Sequence, residues 1–451
     1  MSADGLEAVG RRAVEAALAA GAREAEAWVE RSWGTEVRVY EGAVESLREA
    51  GGRGVGLRVF SGGGPGYAYG TDLSETGVVQ LAEQAAASAA VADGDEHAGL
   101  PEECGAADVA GLRSESIADW SSEQKVELAL AVERAARARP GVSQVEDTLY
   151  ADGDEHVAIV NSRGFAAEYG TTSAWSYASA FAGEGADLMT GMGLGIGRGP
   201  DALDAEAIGG EAADRATALS GARQPSGRRC PVLLDAFVAA SFVGFIGGML
   251  SADAVQRGRS LFAGREGEEI AADGFRVTDD GLDPDGLRTA PFDGEGAPRR
   301  RTTLIEEGRL ATYLFDARTA RKAGRESTGS ATRSSYRSPP SVGAGNLVLE
   351  PGASDFDDLI REAGDGLYVT DVAGLHSGVN PISGTFSVGA SGRLIEGGEL
   401  GAPVREITIA SDLVSMLRSV RAVGARARWV PFGGSVRAAP VLIGEMAVAG
   451  S

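Results

Sequence analysis

At 451 residues the chain exceeds one ordinary domain, so two domains, or two with a small subdomain, are expected. Its 42 basic residues, of which only Lys125 and Lys322 are lysines, face 65 acidic ones for a net charge of −23, which argues against nucleic acid as a direct partner because phosphate binding needs a basic footprint. Two cysteines, Cys104 and Cys230, are too few for a disulfide framework and match no zinc or redox spacing; with no signal-peptide pattern at the start, reduced thiols in a cytoplasmic protein are expected.

LEAVGRRAVEAALAAG predicts an amphipathic first helix closed by glycine, and AEAWVERS alternates as a strand. The stretch from TEVRVYEG to GYAYGTD predicts several short strands in an antiparallel meander, with Glu-Gly and Gly-rich turns. Asp72 with Glu75 is read as the cap of a second helix, 92–119 as an acidic Gly/Ala-rich loop, and Ser121 with Gln124 as the cap of a helix ending at Arg139-Pro140-Gly141. Strands are expected across VSQVEDTLYA, HVAIVNSRG, FAAEYGTTSAWSYASAFAG and LMTGMGLGI, then a helix near 201–220. The polar ARQPSGRRC places the boundary between an N-terminal domain, 1–222, and a C-terminal domain, 223–451. Beyond it come a short strand RCPVLL, an apolar helix, a turn-rich stretch 279–300, a Glu-Gly hairpin in TTLIEEGRLATYLF, a helix capped by Ser354, and alternating strands interrupted by a helix near 411–420. The class is α+β, each domain with mainly antiparallel sheet and flanking helices.

The apolar helix, 235–252, sets seventeen uncharged residues between Asp235 and Asp253, a reach of about 25 Å against the ~30 Å of a bilayer core. With no second span, a membrane protein is not expected. Val238, Phe242, Phe245 and Met249 form a bulky stripe, while Ala240, Gly244, Gly247 and Ser251 form a small one suited to close approach of another backbone.

A helix-borne zinc site needs two imidazoles near one turn's separation, yet no pair among His97, His156 and His376 is closer than 59 residues. The DGD tripeptides at 93–95 and 152–154 do not continue as calcium loops and are read as solvated turns. GMGLGIGRG (191–199) and SGGGPGYAYG (61–70) lack nucleotide-binding spacing and are read as strand bends or tight turns. No nucleophile elbow is present, and both cysteines are expected to be inert. His376, in GLHSGVNPISGTFSVGASG, is read either as a loop histidine satisfied by carbonyls or as a polar group beside a passing peptide, with FSVGASG offering a strand edge.

AVESLREAGGRGVGLRVF, IVNSRGF, the run APFDGEGAPRRRTTLIEEGRLATYLFDARTARKAGRESTG and LHSGVNPISGTFSVGASGRLIEGGELGAPVREITIASDL occur in the order in which similar blocks occur in the TldD/PmbA family, and the resemblance covers nearly the whole chain. It implies two α+β domains and a heterodimer of similar chains. One chain, TldD, is a zinc metallopeptidase with an H-E-x-x-x-H helix and a cysteine ligand near its C-terminus; the other, TldE or PmbA, lacks the metal site. ADAVQRGRSLFAG resembles the segment after H-E-x-x-x-H, which sets the ligand and base positions on Val243, Gly244 and Gly248; WVPFGGSV resembles the segment of the cysteine ligand, which falls near Phe432. None of these can ligate zinc or act as a base. The resemblance therefore implies no catalytic or metal residue in this chain, zinc in a TldD-like partner, and an unfolded or small peptide as the substrate of the pair. His376, Ser377, Gly378, Asn380, Phe386 and Ser387 are the candidate peptide groove. Two rivals stay open: a self-sufficient hydrolase with an unrecognised site, and a peptide-binding regulatory homodimer.

Overall fold

The computed structural model describes residues 5–62, 64–431 and 434–450. In its first half the chain runs α1 (Leu6–Ala19), β1 (Glu24–Tyr40), β2 (Ala43–Ser61), β3 (Gly64–Gly70), α2 (Glu75–Val91), α3 (Ser116–Asp119), α4 (Ser122–Arg137), β4 (Val142–Asn161), β5 (Ala166–Ala182), β6 (Met189–Gly197) and α5 (Ala205–Thr217). The six strands form one antiparallel sheet in the order β3-β2-β1-β4-β5-β6. Where the sequence suggests several short strands, β1 and β2 are single strands of 17 and 19 residues. They are joined at Glu41-Gly42, both with positive φ, the two-residue turn whose twist matches an antiparallel pair. VSQVEDTLYA and HVAIVNSRG likewise merge into β4, so the second DGD lies mid-strand and not in a solvated turn.

Alternation along β1 sorts the two faces of this sheet. Ala25, Ala27 and Val29 pack with α1 and α2, and Val37 and Val39 with α4 and α5. Glu26, Trp28 and Glu30, pointing the other way, meet the second half of the chain. The glycines of GMGLGIGRG have a packing role: a Cβ on Gly191 would sit 2.2 Å from the backbone nitrogen of Ala216, and one on Gly193 2.0 Å from the carbonyl of Ile208, so α5 lies directly on β6. The Ser121–Gln124 capping box is present, but the cap of α2 is Ser74, with Asp72 accepting the Ser74 N–H, and the cap of the 356–363 helix is Asp355, not Ser354.

The second half runs β7 (Arg228–Leu234), α6 (Ala236–Met249), α7 (Ala252–Gln256), β8 (Val277–Asp280), β9 (Arg301–Glu306), β10 (Arg309–Leu310), α8 (Ala317–Ala323), β11 (Ala331–Thr332), β12 (Ser341–Val342), β13 (Asn346–Leu349), α9 (Phe356–Ala363), β14 (Gly366–Ala373), α10 (Leu375–Gly378), β15 (Thr385–Glu396), β16 (Glu399–Asp412), α11 (Leu413–Arg418), β17 (Val420–Val423), β18 (Arg428–Val430), β19 (Ser435–Ala438) and β20 (Val441–Ala449). One sheet has the order β16-β15-β14-β7-β20-β17, and β16 also pairs with β20, which closes it on itself. A second has the order β10-β9-β8-β13-β19-β18. Helix α6 lies between them, touching β14 on one side and β13, β18 and β19 on the other. This sandwiching explains its apolar character on every side, and the class is mixed α+β, as read from the sequence. No described helix is long and apolar enough to cross a membrane.

Candidate functional site

Helix α6 starts at Asp235, whose side chain accepts the Phe237 N–H at 3.0 Å, the Tyr368 hydroxyl at 2.8 Å and the Arg215 guanidinium at 3.3 Å. From there Val243 and Gly244 are buried, Ser241 and Phe245 half-buried, and Gly248 exposed. Val243 fills the core between the two sheets, and neither glycine carries a side-chain donor. A zinc ion does not fit this helix, because no imidazole, thiolate or carboxylate projects from the positions where ligands and base are required. Phe432 lies outside the described residues. Among the described residues no three His, Cys, Asp or Glu side chains converge as a metal needs.

The face of small residues meets this chain itself. A Cβ on Gly247 would approach Leu347 Cδ1 of β13 at 2.3 Å, whereas one on Gly248 would meet nothing within 4 Å. The expectation that Gly247 faces another backbone is thereby corrected: a side chain of the same chain covers it, while the neighbouring Gly248 is open.

The six groove candidates are close in sequence and split in space. His376 and Ser377 are exposed on α10, Gly378 is half-buried, Asn380 spends its Oδ1 on the N–H groups of Ile382 and Ser383, and Ser387 is exposed. Phe386 is 4 % exposed and packs edge-on against Phe242 of α6 with ring centroids 5.3 Å apart. Strand β15 is not an open edge, since β14 and β16 pair on its two sides and Val379 bridges to Phe386 beyond the end of β14. A peptide has no free ladder to join there.

The other histidines serve local structure. His156 is 3.0 Å from Arg113 Nη1 and 3.4 Å from Asp154, with burial lowering its pKa, and His97 sits 3.9 Å from Glu96. Burial raises the pKa of both thiols: Cys230 is in the core and Cys104 accepts from Asn161 Nδ2 at 3.3 Å.

A groove lies between the two halves of the chain. The face of β5 and β6 turned toward the second half carries Trp175, Tyr177, Met192, Leu194 and Ile196; across from them stand Arg288 and Pro431, Gly434 and Ser435, enclosing a groove of about 910 Å³. Trp175 and Tyr177 stack at 6.0 Å with an interplanar angle of 9°, two residues apart on one strand face. Burial, helped by its hydrogen bond to Asp147, pushes the Tyr177 hydroxyl up to about 12. Past Met192 a cavity of about 430 Å³ reaches Phe237, Val238 and Ser241 of α6. Past Leu287 and Arg288 a polar chamber of about 710 Å³ is floored by Glu155 and Tyr169. The cleft thus runs from Phe237, Val238 and Ser241 of α6, past Met192, to Pro431, Gly434 and Ser435. The alternation in AWSYAS gives a signal for the aromatic pair, but Arg288 and Glu155 come from unrelated segments and carry none.

The sequence matches three domain signatures of one family: PmbA/TldA metallopeptidase domain 1 over residues 25–89, the central domain over 115–220 and the C-terminal domain over 226–450. It is 29% identical to the Escherichia coli O157:H7 protein named Metalloprotease PmbA, over 96% of this chain and 94% of that one. Its fold is similar to that of a Thermotoga maritima protein described as a candidate modulator of a DNA gyrase, with a TM-score of 0.90 and 27% identity, covering 99% of this chain and 100% of that one. TldE from Thermococcus kodakarensis superposes with a TM-score of 0.91 at 23% identity, over 98% and 100% of the two chains, and supports the fold. With all three domains matched in order and the architecture shared end to end, this chain belongs to the PmbA/TldD family of metallopeptidases.

Proposed function

We propose that this chain is the metal-free subunit of a two-chain peptidase, pairing with a similar, TldD-like chain that carries H-E-x-x-x-H and the zinc. The observation that carries the reading is α6: a capped and largely buried helix with Val243, Gly244 and Gly248 where the family resemblance expects ligands and base. Such a chain contributes surface, not chemistry. The groove between its halves, lined by a stacked aromatic pair and by Arg288, suits an extended unfolded or small peptide that the partner then cleaves.

The test is elemental analysis of the chain purified without tag or partner, followed by co-purification with a metal-bearing homologue. Zinc well below one per chain, and peptidase activity only in the mixture, are expected. One tightly bound zinc per isolated chain, or full activity without a partner, overturns the reading.

A further inference from the structure

The polar chamber beside the groove is built unlike the rest of the cleft. Its charged lining falls into two sets. Asp293 is buried and accepts the N–H groups of Glu295, Ala297 and Ala331; Arg333 pairs with Glu26 and donates to the Gly294 carbonyl; Arg299 donates to the Gly329 carbonyl. These hold the fold together. Among the described residues, the Arg288 guanidinium and the Glu155 carboxyl have no hydrogen-bond or ion-pair partner, although both line the same 710 Å³ space.

The two differ in setting. Arg288 stands at the mouth shared by the chamber and the groove with its side chain exposed to solvent, so its guanidinium is free to meet an incoming anion. Arg299 also carries a buried Nε–H that nothing accepts. Glu155, half-buried on the floor, feels the negative charge of Glu30 and no cation, and its carboxyl is pushed up to about 7, first by burial. An unmet cation and an unmet acid in one chamber match a ligand bearing both charges. The volume is within the roughly 300–1,000 Å³ of small-ligand sites. Arg288 also lines the aromatic groove, so a side chain next to the bound anion has Trp175 and Tyr177 within the adjoining space.

We propose that this chamber captures the free ends of a short peptide, its terminal carboxylate on Arg288 and its terminal ammonium on Glu155. The choice of a peptide over another zwitterion rests on the peptidase-subunit reading. The site itself needs neither metal nor partner.

Calorimetric titration of the isolated full-length chain with Gly-Gly-Phe, its C-terminal amide and its N-acetyl form tests this. Gly-Gly-Phe should bind about tenfold tighter than either blocked form, the scale of one lost charge-assisted contact. Arg288→Gln should erase the penalty for amidation alone, and Glu155→Gln the penalty for acetylation alone. Absence of binding, equal binding of the three peptides, or variants that weaken all three alike overturns the proposal, and the wild-type comparison stands even if a variant misfolds. Because neither zinc nor partner enters the measurement, failure here leaves the metal analysis to judge the subunit reading separately.

Discussion

Glu155 presents a single-residue effect with a definite sign. Its carboxyl titrates near 7 in the folded chain against an ordinary value near 4.5, because burial and Glu30 disfavour the anion. Between those values the folded state holds a proton that the unfolded state has released. The protonated form's contribution is complete below about pH 4.5 and is lost as pH rises through about 7. Glu155→Gln, a neutral mimic, should match wild-type stability near pH 4.5 and exceed it by about 1–3 kcal/mol above pH 7, read from melting temperature across that range. A pH-independent difference between the two proteins contradicts the assignment. Asp152 shows how environment can invert a composition-based reading. DGD in isolation reads as a solvated turn, yet Asp152 takes Lys125 at 2.7 Å, the Tyr150 hydroxyl at 2.6 Å and the Thr35 N–H at 3.0 Å inside the sheet. Nothing in the tripeptide carries that information, because its partners lie 2 to 117 residues away.

At the scale of elements, α6 separates two glycines that look alike in the sequence. Gly247→Leu forces a side chain into Leu347 of β13 and should cost about 1–3 kcal/mol of stability by overpacking. Gly248→Ala faces open space and should be neutral or gain up to about 1 kcal/mol from helix propensity. Chemical denaturation of both variants checks the pair, and equal losses would mean that the helix is rotated from its described position. The same comparison indicates what local pattern can resolve. Helices with periodic faces and side-chain caps, such as α4 with its Ser121–Gln124 box, are legible because their determinants lie within a few residues. Strand lengths are less so: glycines in β2 and β6 resemble turn signals but serve close packing, as at Gly193 under α5. The expectation that Val243, Gly244 and Gly248 occupy ligand and base positions comes from resemblance alone. The cleft is not legible, since its walls come from β5, β6, Leu287, Arg288, Pro431, Gly434 and Ser435, and its register depends on how the two halves meet.

At the scale of the whole molecule, the two halves are joined by ionic as well as aromatic contacts. Arg58 of β2 reaches Glu26 of β1 and Glu295 of the second half, each at 2.7 Å, and Arg333 returns to Glu26 from the other side. All four groups are nearly excluded from solvent. Beside them Phe292 of the second half sits edge-on to Trp28 and Tyr169, at 6.4 and 5.1 Å. Buried ion pairs add little net stability over an apolar replacement of the whole set, but removing one member strands the others without a counter-charge. Arg58→Met leaves Glu295 without this guanidinium inside the interface and should cost about 3–5 kcal/mol. Arg38→Met, which removes partly exposed pairs with Asp147 and Glu36 within the first half, should cost no more than about 1 kcal/mol. The location of the loss matters as much as its size. Because Arg58 bridges the halves, differential scanning calorimetry should show one transition for the wild type and two for Arg58→Met, with the groove between the halves loosened at the lower temperature and tryptophan fluorescence from Trp28 changing first. A single transition merely shifted downward would mean that aromatic packing around Phe292, and not the ionic bridge, couples the two halves and fixes the shape of the cleft.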